Sequence, residues 1–200
     1  MSGVLSAEQL AALDAWLREG LKESRYTHSL GTAETARRLA VAHGLDADAA
    51  YEAGLLHDCG RIYDKEAQLP YAAQWPQLEP GELDVPMLRH GPAGAVLLRD
   101  MWGIDDRQLL DAVAGHTLAR RGMSDFTKLV FLADLIEPNR EPWDGIEKLR
   151  LVAEQDLNRA MALAIRENQQ YLQRQGREEH PAAAAALQEI EELINKEDKA

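Results

Sequence analysis

No stretch of the 200-residue chain alternates apolar and polar side chains with a period of two. Apolar positions instead recur every three or four residues between start and stop signals, the pattern of amphipathic helices packed on one another. The predicted fold class is therefore all-α. "SAEQLAALDAWLREGLK" opens on Ser6, which can cap while Gln9 reaches back, and continues with Leu10, Leu13 and Leu17 on one face. "SRYTHSLGTAETARRLAVAHGL" carries Tyr26, Leu30, Ala33, Leu39 and Ala40 on a stripe that stops at Gly44. Asp46 then caps a helix whose Ala50, Gly54 and His57 share a face.

Between Ile62 and Arg89 five residues, Pro70, Pro76, Pro80, Gly81 and Pro86, predict an irregular loop with a helical turn at most. Helical spacing resumes in "HGPAGAVLLRDMWG" and, after a cap at Asp105 or Asp106, in "DDRQLLDAVAGHT". "SDFTKLVFLADLIEP" is capped by Ser124 and stopped by Pro138, and "DLNRAMALAIRENQQYLQRQG" runs to Gly176. A last helix is expected from Pro181 to about Ile194, followed by a frayed tail, "NKEDKA".

The formal net charge of −12 repels DNA, RNA and anionic membrane, so none of these is an expected partner. Apolar runs are too short to span a bilayer. The start "MSGVLSAEQL" lacks a basic stretch followed by an apolar run, which reads as no secretory signal and a cytoplasmic location. The single cysteine, Cys59, fits a reducing compartment and reads as a packing residue.

Four of the six histidines, His28, His57, His90 and His116, sit beside small residues or at predicted helix ends. Asp58 follows His57, and Asp134 lies in the otherwise apolar "FLADLIEP", where an unpaired carboxylate is costly. Imidazole and carboxylate suit iron, manganese or zinc, and these six residues suffice for a two-metal site. Adjacent residues on a helix point about 100° apart, so His57 and Asp58 converge only if several helices wrap around that helix end. Gly31, Gly54, Gly91, Gly94 and Gly115 permit such a close approach. Taken singly, each residue has a plainer role. His28 and His116 read as hydrogen-bonded surface histidines, His90 as a loop residue, and Asp134 as the partner of a buried arginine. His43 offsets a helix dipole, and His180 is a surface residue before a helix.

The order H…HD…H…H…D is similar to that of the HD-domain metal-dependent phosphohydrolases. More closely, "RYTHSLGTAETARRLA", "AGLLHDCGR", "HGPAGA", "GHTLARRGMS" and "LVFLADLIEPNR" resemble the YqeK family, over about Arg25 to Pro181. The chain departs from that pattern at Cys59, Gly60 and Arg61, where an aromatic, an alanine and a lysine are usual, and in "HTLARRGM", where "HTTGRPGM" is usual.

The resemblance implies a single helical HD bundle: residues 1–24 as an N-terminal helix of the same domain, 25–181 as the HD domain, and 182–200 as a C-terminal helix and charged tail. It also implies symmetrical hydrolysis of diadenosine tetraphosphate to two ADP. The metal ligands it implies are His28, His57, Asp58, His90, His116 and Asp134, around a dinuclear centre of iron, with manganese or another divalent metal as the alternative. Asp58 and Arg61 are the expected catalytic residues. Arg61, Thr117, Arg120, Lys128 and Arg140 are the expected contacts to a small-molecule dinucleoside polyphosphate, and a homodimer is left open. Two rival readings share the same ligands: hydrolysis of another nucleotide, such as a nucleoside 5′-monophosphate, and a non-catalytic metal-bound nucleotide sensor.

Overall fold

The computed structural model describes residues 3–199, so Met1 and Ser2 of the N-terminal segment and Ala200 of the tail lie outside the described residues. The order is α1 (Ala7–Gly20), α2 (Glu23–Ala42), α3 (Ala47–Leu56), α4 (Lys65–Ala72), α5 (His90–Trp102), α6 (Arg107–Gly115), α7 (Asp125–Ile136), α8 (Ile146–Ala153), α9 (Leu157–Arg174) and α10 (Pro181–Glu197). Short 3-10 turns cover Cys59–Ile62 and Glu82–Asp84, and no strand occurs among the described residues.

Most helix starts follow from one local device. Ser6, Asp46, Asp64, Asp106, Ser124 and Asp156 each accept a hydrogen bond from a backbone N–H of the first turn, and Gln9 closes the reciprocal box with Ser6. Each such cap is worth about 1 kcal/mol.

Three expectations are corrected. The segment 62–89 is not merely a loop, because α4 makes two turns within it. Asp64 caps that helix, Gln68 and Ala72 bury a face at i, i+4, and Gln68 Nε2 donates to Tyr63 O at 2.8 Å. Pro70 removes only the bond to the carbonyl of Glu66, a residue exposed to water that can replace it. Helix α8 was not expected, yet Ile146, Leu149 and Ala153 give it a buried face against α7 and α9. The tail is helical through Glu197: Asn158 Nδ2 donates to Glu197 Oε1 at 3.1 Å and Arg159 pairs with Asp198, which ties it to α9.

Helices α2, α3, α5, α6 and α7 form the centre, with α2 against α3 and α7, and α6 against α5 and α7. Helix α1 covers α2 and α3, α4 covers α5, α8 packs on both α7 and α9, and α10 packs on α9. One buried apolar cluster runs from Leu13 and Leu17 of α1 to Ala186 and Ile190 of α10. Small residues set the spacing of α2 and α3: a Cβ on Gly54 would stand 2.8 Å from Ala33 Cα, so the two backbones nearly touch. This contact brings the C-terminal end of α3 up to the second turn of α2, where His28 lies.

Candidate metal centre

His28 projects from α2, His57 ends α3, His90 begins α5, His116 ends α6, and Asp134 lies in the last turns of α7. Asp58 leaves the helix altogether, with φ −94° and ψ 10° at the entry to the 3-10 turn. That change of direction lets two neighbouring side chains face one point. A Cβ on Gly60 would stand 2.1 Å from His90 O, so this turn is seated directly on the start of α5.

The six predicted ligands meet. Asp58 Oδ1 faces His90 Nε2 at 3.2 Å and His116 Nε2 at 3.6 Å, while its Oδ2 faces His57 Nε2 at 3.8 Å. Asp134 Oδ1 lies 2.8 Å from His28 Nε2 and 3.6 Å from His57 Nε2. The imidazoles close the ring, with His28 Nε2 3.2 Å from His57 Nε2 and His90 Nε2 3.0 Å from His116 Nε2. Three groupings result: His28, His57, Asp58; Asp58, His90, His116; and His57, His116, Asp134, each with its ligand atoms within 4.8 Å of one another.

The chemistry of this donor set fits a cation. His57 and His116 each donate Nδ1–H to a carbonyl three residues back, Gly54 O and Val113 O, both at 2.7 Å. Burial holds the His57 and His90 rings neutral, with pKa values lowered to about 4. His57 therefore presents an Nε2 lone pair, as does His28 when its Nδ1–H meets Glu137 Oε1 at 3.0 Å. The two Nε2 atoms lie 3.2 Å apart, and two bare lone pairs at that distance repel, so either a proton on His28 or a cation must stand there.

The same preference appears in the titration of the neighbouring groups. Burial pulls the His28 pKa down, but hydrogen bonds to Asp134 and Glu137 outweigh it and leave it raised. Burial pushes Asp58 up, yet His57, His116 and His90 hold it well below the usual carboxylate range; Asp134 is likewise lowered, by His28, His57 and Arg140. Histidine with carboxylate, and no thiolate, is a set for iron, manganese or zinc. Cys59 is buried with its thiol pKa pushed up, consistent with the packing role expected of it.

Of the expected substrate contacts, Arg61 and Arg140 reach the cluster. Arg61 Nε donates to Asp58 Oδ1 at 2.6 Å, and Arg140 bonds both the carboxylate and the carbonyl of Asp134. Thr117 donates to Leu88 O at 3.2 Å, fastening the His116 segment to the approach of α5. Arg120 and Lys128 pair with none of the six among the described residues. Arg120 holds the buried Glu82 at 2.9 Å, and Lys128 Nζ is taken by Asp125 at 3.0 Å and Asn158 at 2.7 Å.

Two residues of the site were not anticipated from sequence. Arg25 donates to Asp58 Oδ2 at 3.3 Å, and Glu137 meets His28. Arg25 lies three residues before His28 and Glu137 three after Asp134, so a search one helical turn either side of each ligand finds both.

Comparison with known proteins gives a consistent result. The family described as HD domain matches residues 25–165. The chain is 34% identical to the symmetrical bis(5′-nucleosyl)-tetraphosphatase of Bacillus subtilis (strain 168) over 169 residues, 84% of this chain and 89% of that protein. A protein of the same name from Staphylococcus aureus is 36% identical over 142 residues, 68% of this chain and 70% of that protein. Among solved structures, a predicted HD superfamily hydrolase involved in NAD metabolism, from Clostridium acetobutylicum, superposes with a TM-score of 0.84 at 33% identity, covering 94% of this chain and 98% of that one.

Proposed function

The chain belongs to the HD domain family and, within it, to the YqeK family of symmetrical bis(5′-nucleosyl)-tetraphosphatases, and from that premise we propose that it hydrolyses diadenosine tetraphosphate and related dinucleoside polyphosphates. One water is consumed and the middle phosphoanhydride bond is cut, so the symmetric substrate yields two ADP. The observation that carries this reading is the sharing of Asp58: its two oxygens turn to different histidines, so that it belongs to two of the three groupings that could hold a metal.

His28, His57, Asp58, His90, His116 and Asp134 are the residues to hold the centre, and iron is the metal we favour, with manganese or another divalent ion as the alternative. A pair of such ions, when bound, would supply Lewis acidity that lowers the pKa of water and offsets phosphate charge.

The protein's own part is positioning. The two backbone carbonyls of Gly54 and Val113 fix the ring orientation of His57 and His116. Arg61 and Arg25 grip Asp58 from two sides, and Arg140 grips Asp134. Each of these three side chains stays partly exposed, 24% for Arg61, 41% for Arg25 and 35% for Arg140. Their free edges are available to phosphate oxygens, which a guanidinium pairs two at a time. Such a local rim of positive charge suits a polyphosphate although the whole chain carries −12. Thr117, Arg120 and Lys128 serve at one remove, by fixing the segments that carry His116 and α7. The reading places the chain in the cytoplasm, where nucleotides are found; no helix among the described residues is long and apolar enough to cross a membrane.

The test is to purify the protein without chelator, measure bound metal, and resolve the products from the symmetric tetraphosphate by chromatography. ADP as sole product is expected. ATP with AMP overturns symmetric cleavage, and bound metal with no turnover on any dinucleoside polyphosphate or mononucleotide overturns the enzyme.

A further inference from the structure

We infer that Glu137 is a positioning residue of the metal centre, fixing the proton of the His28 ring on Nδ1 so that Nε2 is free to bind a cation; the inference rests on the proposed ligand role of His28. The other imidazoles show why an outside partner is needed. His57 and His116 follow helix ends, where the carbonyls of Gly54 and Val113 are free to accept their Nδ1–H. His28 lies inside α2, whose carbonyls are engaged along the helix. Its Nδ1 meets Glu137 Oε1 at 3.0 Å, across 109 residues of sequence.

Glu137 is built for that contact. Its side chain is buried, and its second oxygen, Oε2, accepts the backbone N–H of Asn139 at 2.7 Å. Two donors thus meet two acceptor oxygens, which only a carboxylate offers. The space is reserved on α2: a Cβ on Gly31 would stand 2.2 Å from Oε2. The backbone beneath is held as well, since Arg150 of α8 donates to Ile136 O at 2.9 Å and to Glu137 O at 3.1 Å. The helix missed in the sequence therefore braces the end of α7 that carries both Asp134 and Glu137.

A carboxamide at 137 cannot do the same work, because it has one oxygen for two donors. If that oxygen takes Asn139 N–H, the amide NH₂ points at His28 Nδ1 and drives the ring proton to Nε2, onto the face meant for the cation. If the oxygen takes His28 instead, a buried N–H is orphaned.

The experiment compares wild type, Glu137→Gln and Glu137→Ala after metal stripping, by Mn²⁺ uptake against a chelator, with melting of the stripped proteins as the folding control. Long-range ¹H–¹⁵N spectra of the Zn²⁺-loaded proteins read the His28 tautomer directly. The expected result is about 10–100-fold weaker Mn²⁺ binding in both variants, the magnitude typical for loss of a partner behind a ligand. The Gln variant should retain the fold, and wild-type His28 should carry its proton on Nδ1. Should the Ala variant not fold, the Gln variant, which keeps the shape, decides. Uptake curves that coincide for wild type and Glu137→Gln overturn the role of Glu137 and leave the metal centre standing, whereas a wild-type His28 protonated on Nε2 overturns both that role and the place of His28 among the ligands. Wild-type protein that takes up neither ion overturns the metal reading itself.

Discussion

Arg61 closes on Asp58 from one turn away, its Nε 2.6 Å from Oδ1, the same oxygen that faces His90 at 3.2 Å. The carboxylate is thus shared between a guanidinium and the ligand ring, and the two partners predict different losses. Asp58→Ala removes the oxygens common to two ligand groups, so bound metal and turnover should both fall to background. Arg61→Ala leaves all six ligands and should retain metal while lowering kcat/KM about 10–100-fold, the worth of one charge-assisted hydrogen bond of about 1.5–3 kcal/mol. Metal analysis beside steady-state rates checks both, and an Asp58→Ala protein that keeps its rate places Asp58 outside the centre.

Arg25 and Arg120 are expected to separate binding from stability. The Arg25–Asp58 pair is 3.3 Å long with Arg25 41% exposed, so it adds little to folding, on the order of 1 kcal/mol or less. Arg25→Ala should raise KM for the tetraphosphate several-fold with the melting temperature nearly unchanged, and the effect should shrink as salt screens the phosphate. Arg120→Ala leaves Glu82 buried without its cation, a loss of about 3–5 kcal/mol that calorimetry should register as a large drop in melting temperature. A reversed pattern, with Arg25 stabilising and Arg120 governing KM, is the outcome that contradicts these assignments.

The depressed histidines give a signed pH dependence. His57 and His90 are lowered from 6.5 to about 4 by burial, so in the folded protein they resist a proton that the unfolded chain accepts. Their contribution to stability is intact above pH 6.5 and is lost as pH falls from 6.5 to 4, by roughly 3 kcal/mol for each ring at the limit. His28, raised by its carboxylate partners, acts in the opposite sense: its contribution is present below pH 6.5 and lost as pH rises through its folded value. The His28 effect lies above pH 6.5, so below it the two depressed rings set the sign, and metal-stripped protein should lose denaturant stability between pH 6.5 and 4. Urea titrations across that window test it, and a flat profile is the contrary result.

The all-α class was legible because it is written locally, and the six clustered residues because their order along the chain resembles a known pattern. Ser and Asp caps, apolar spacing and a His-Asp pair after small residues are features of a few neighbouring residues, and the structure keeps them. What was not legible depended on distant partners. Helix α4 survives Pro70 because the residue whose carbonyl loses its partner, Glu66, is exposed to water, and the tail stays helical because Arg159 and Asn158 of α9 reach Asp198 and Glu197. Arg120 and Lys128 looked like phosphate contacts by charge alone, yet each is neutralised by carboxylates brought to it by folding. Glu137 read as a helix end before a proline, and only the crossing of α2 and α7 sets it beside His28.

Gly60 is the last test, because the backbone around it leaves no room for a side chain. The residue follows Cys59 in the 3-10 turn, and a Cβ there would meet His90 O at 2.1 Å and Gly94 N at 2.9 Å. Both neighbours are backbone and cannot swing aside, so Gly60→Ala must separate the turn from α5. Overpacking of this kind costs about 1–3 kcal/mol, and a chain of this length loses roughly 2–4 °C for each of them. The displaced backbone carries His90 itself, so the variant should also bind metal more weakly than its stability loss alone explains. Gly44→Ala is the control: it is a positive-φ site with φ +67° and nothing within 4 Å of its Cβ. It should lower the melting temperature through backbone strain and leave metal affinity at the wild-type value. Equal metal affinity in the two variants would mean that the contact between the turn and α5 does not set the position of His90.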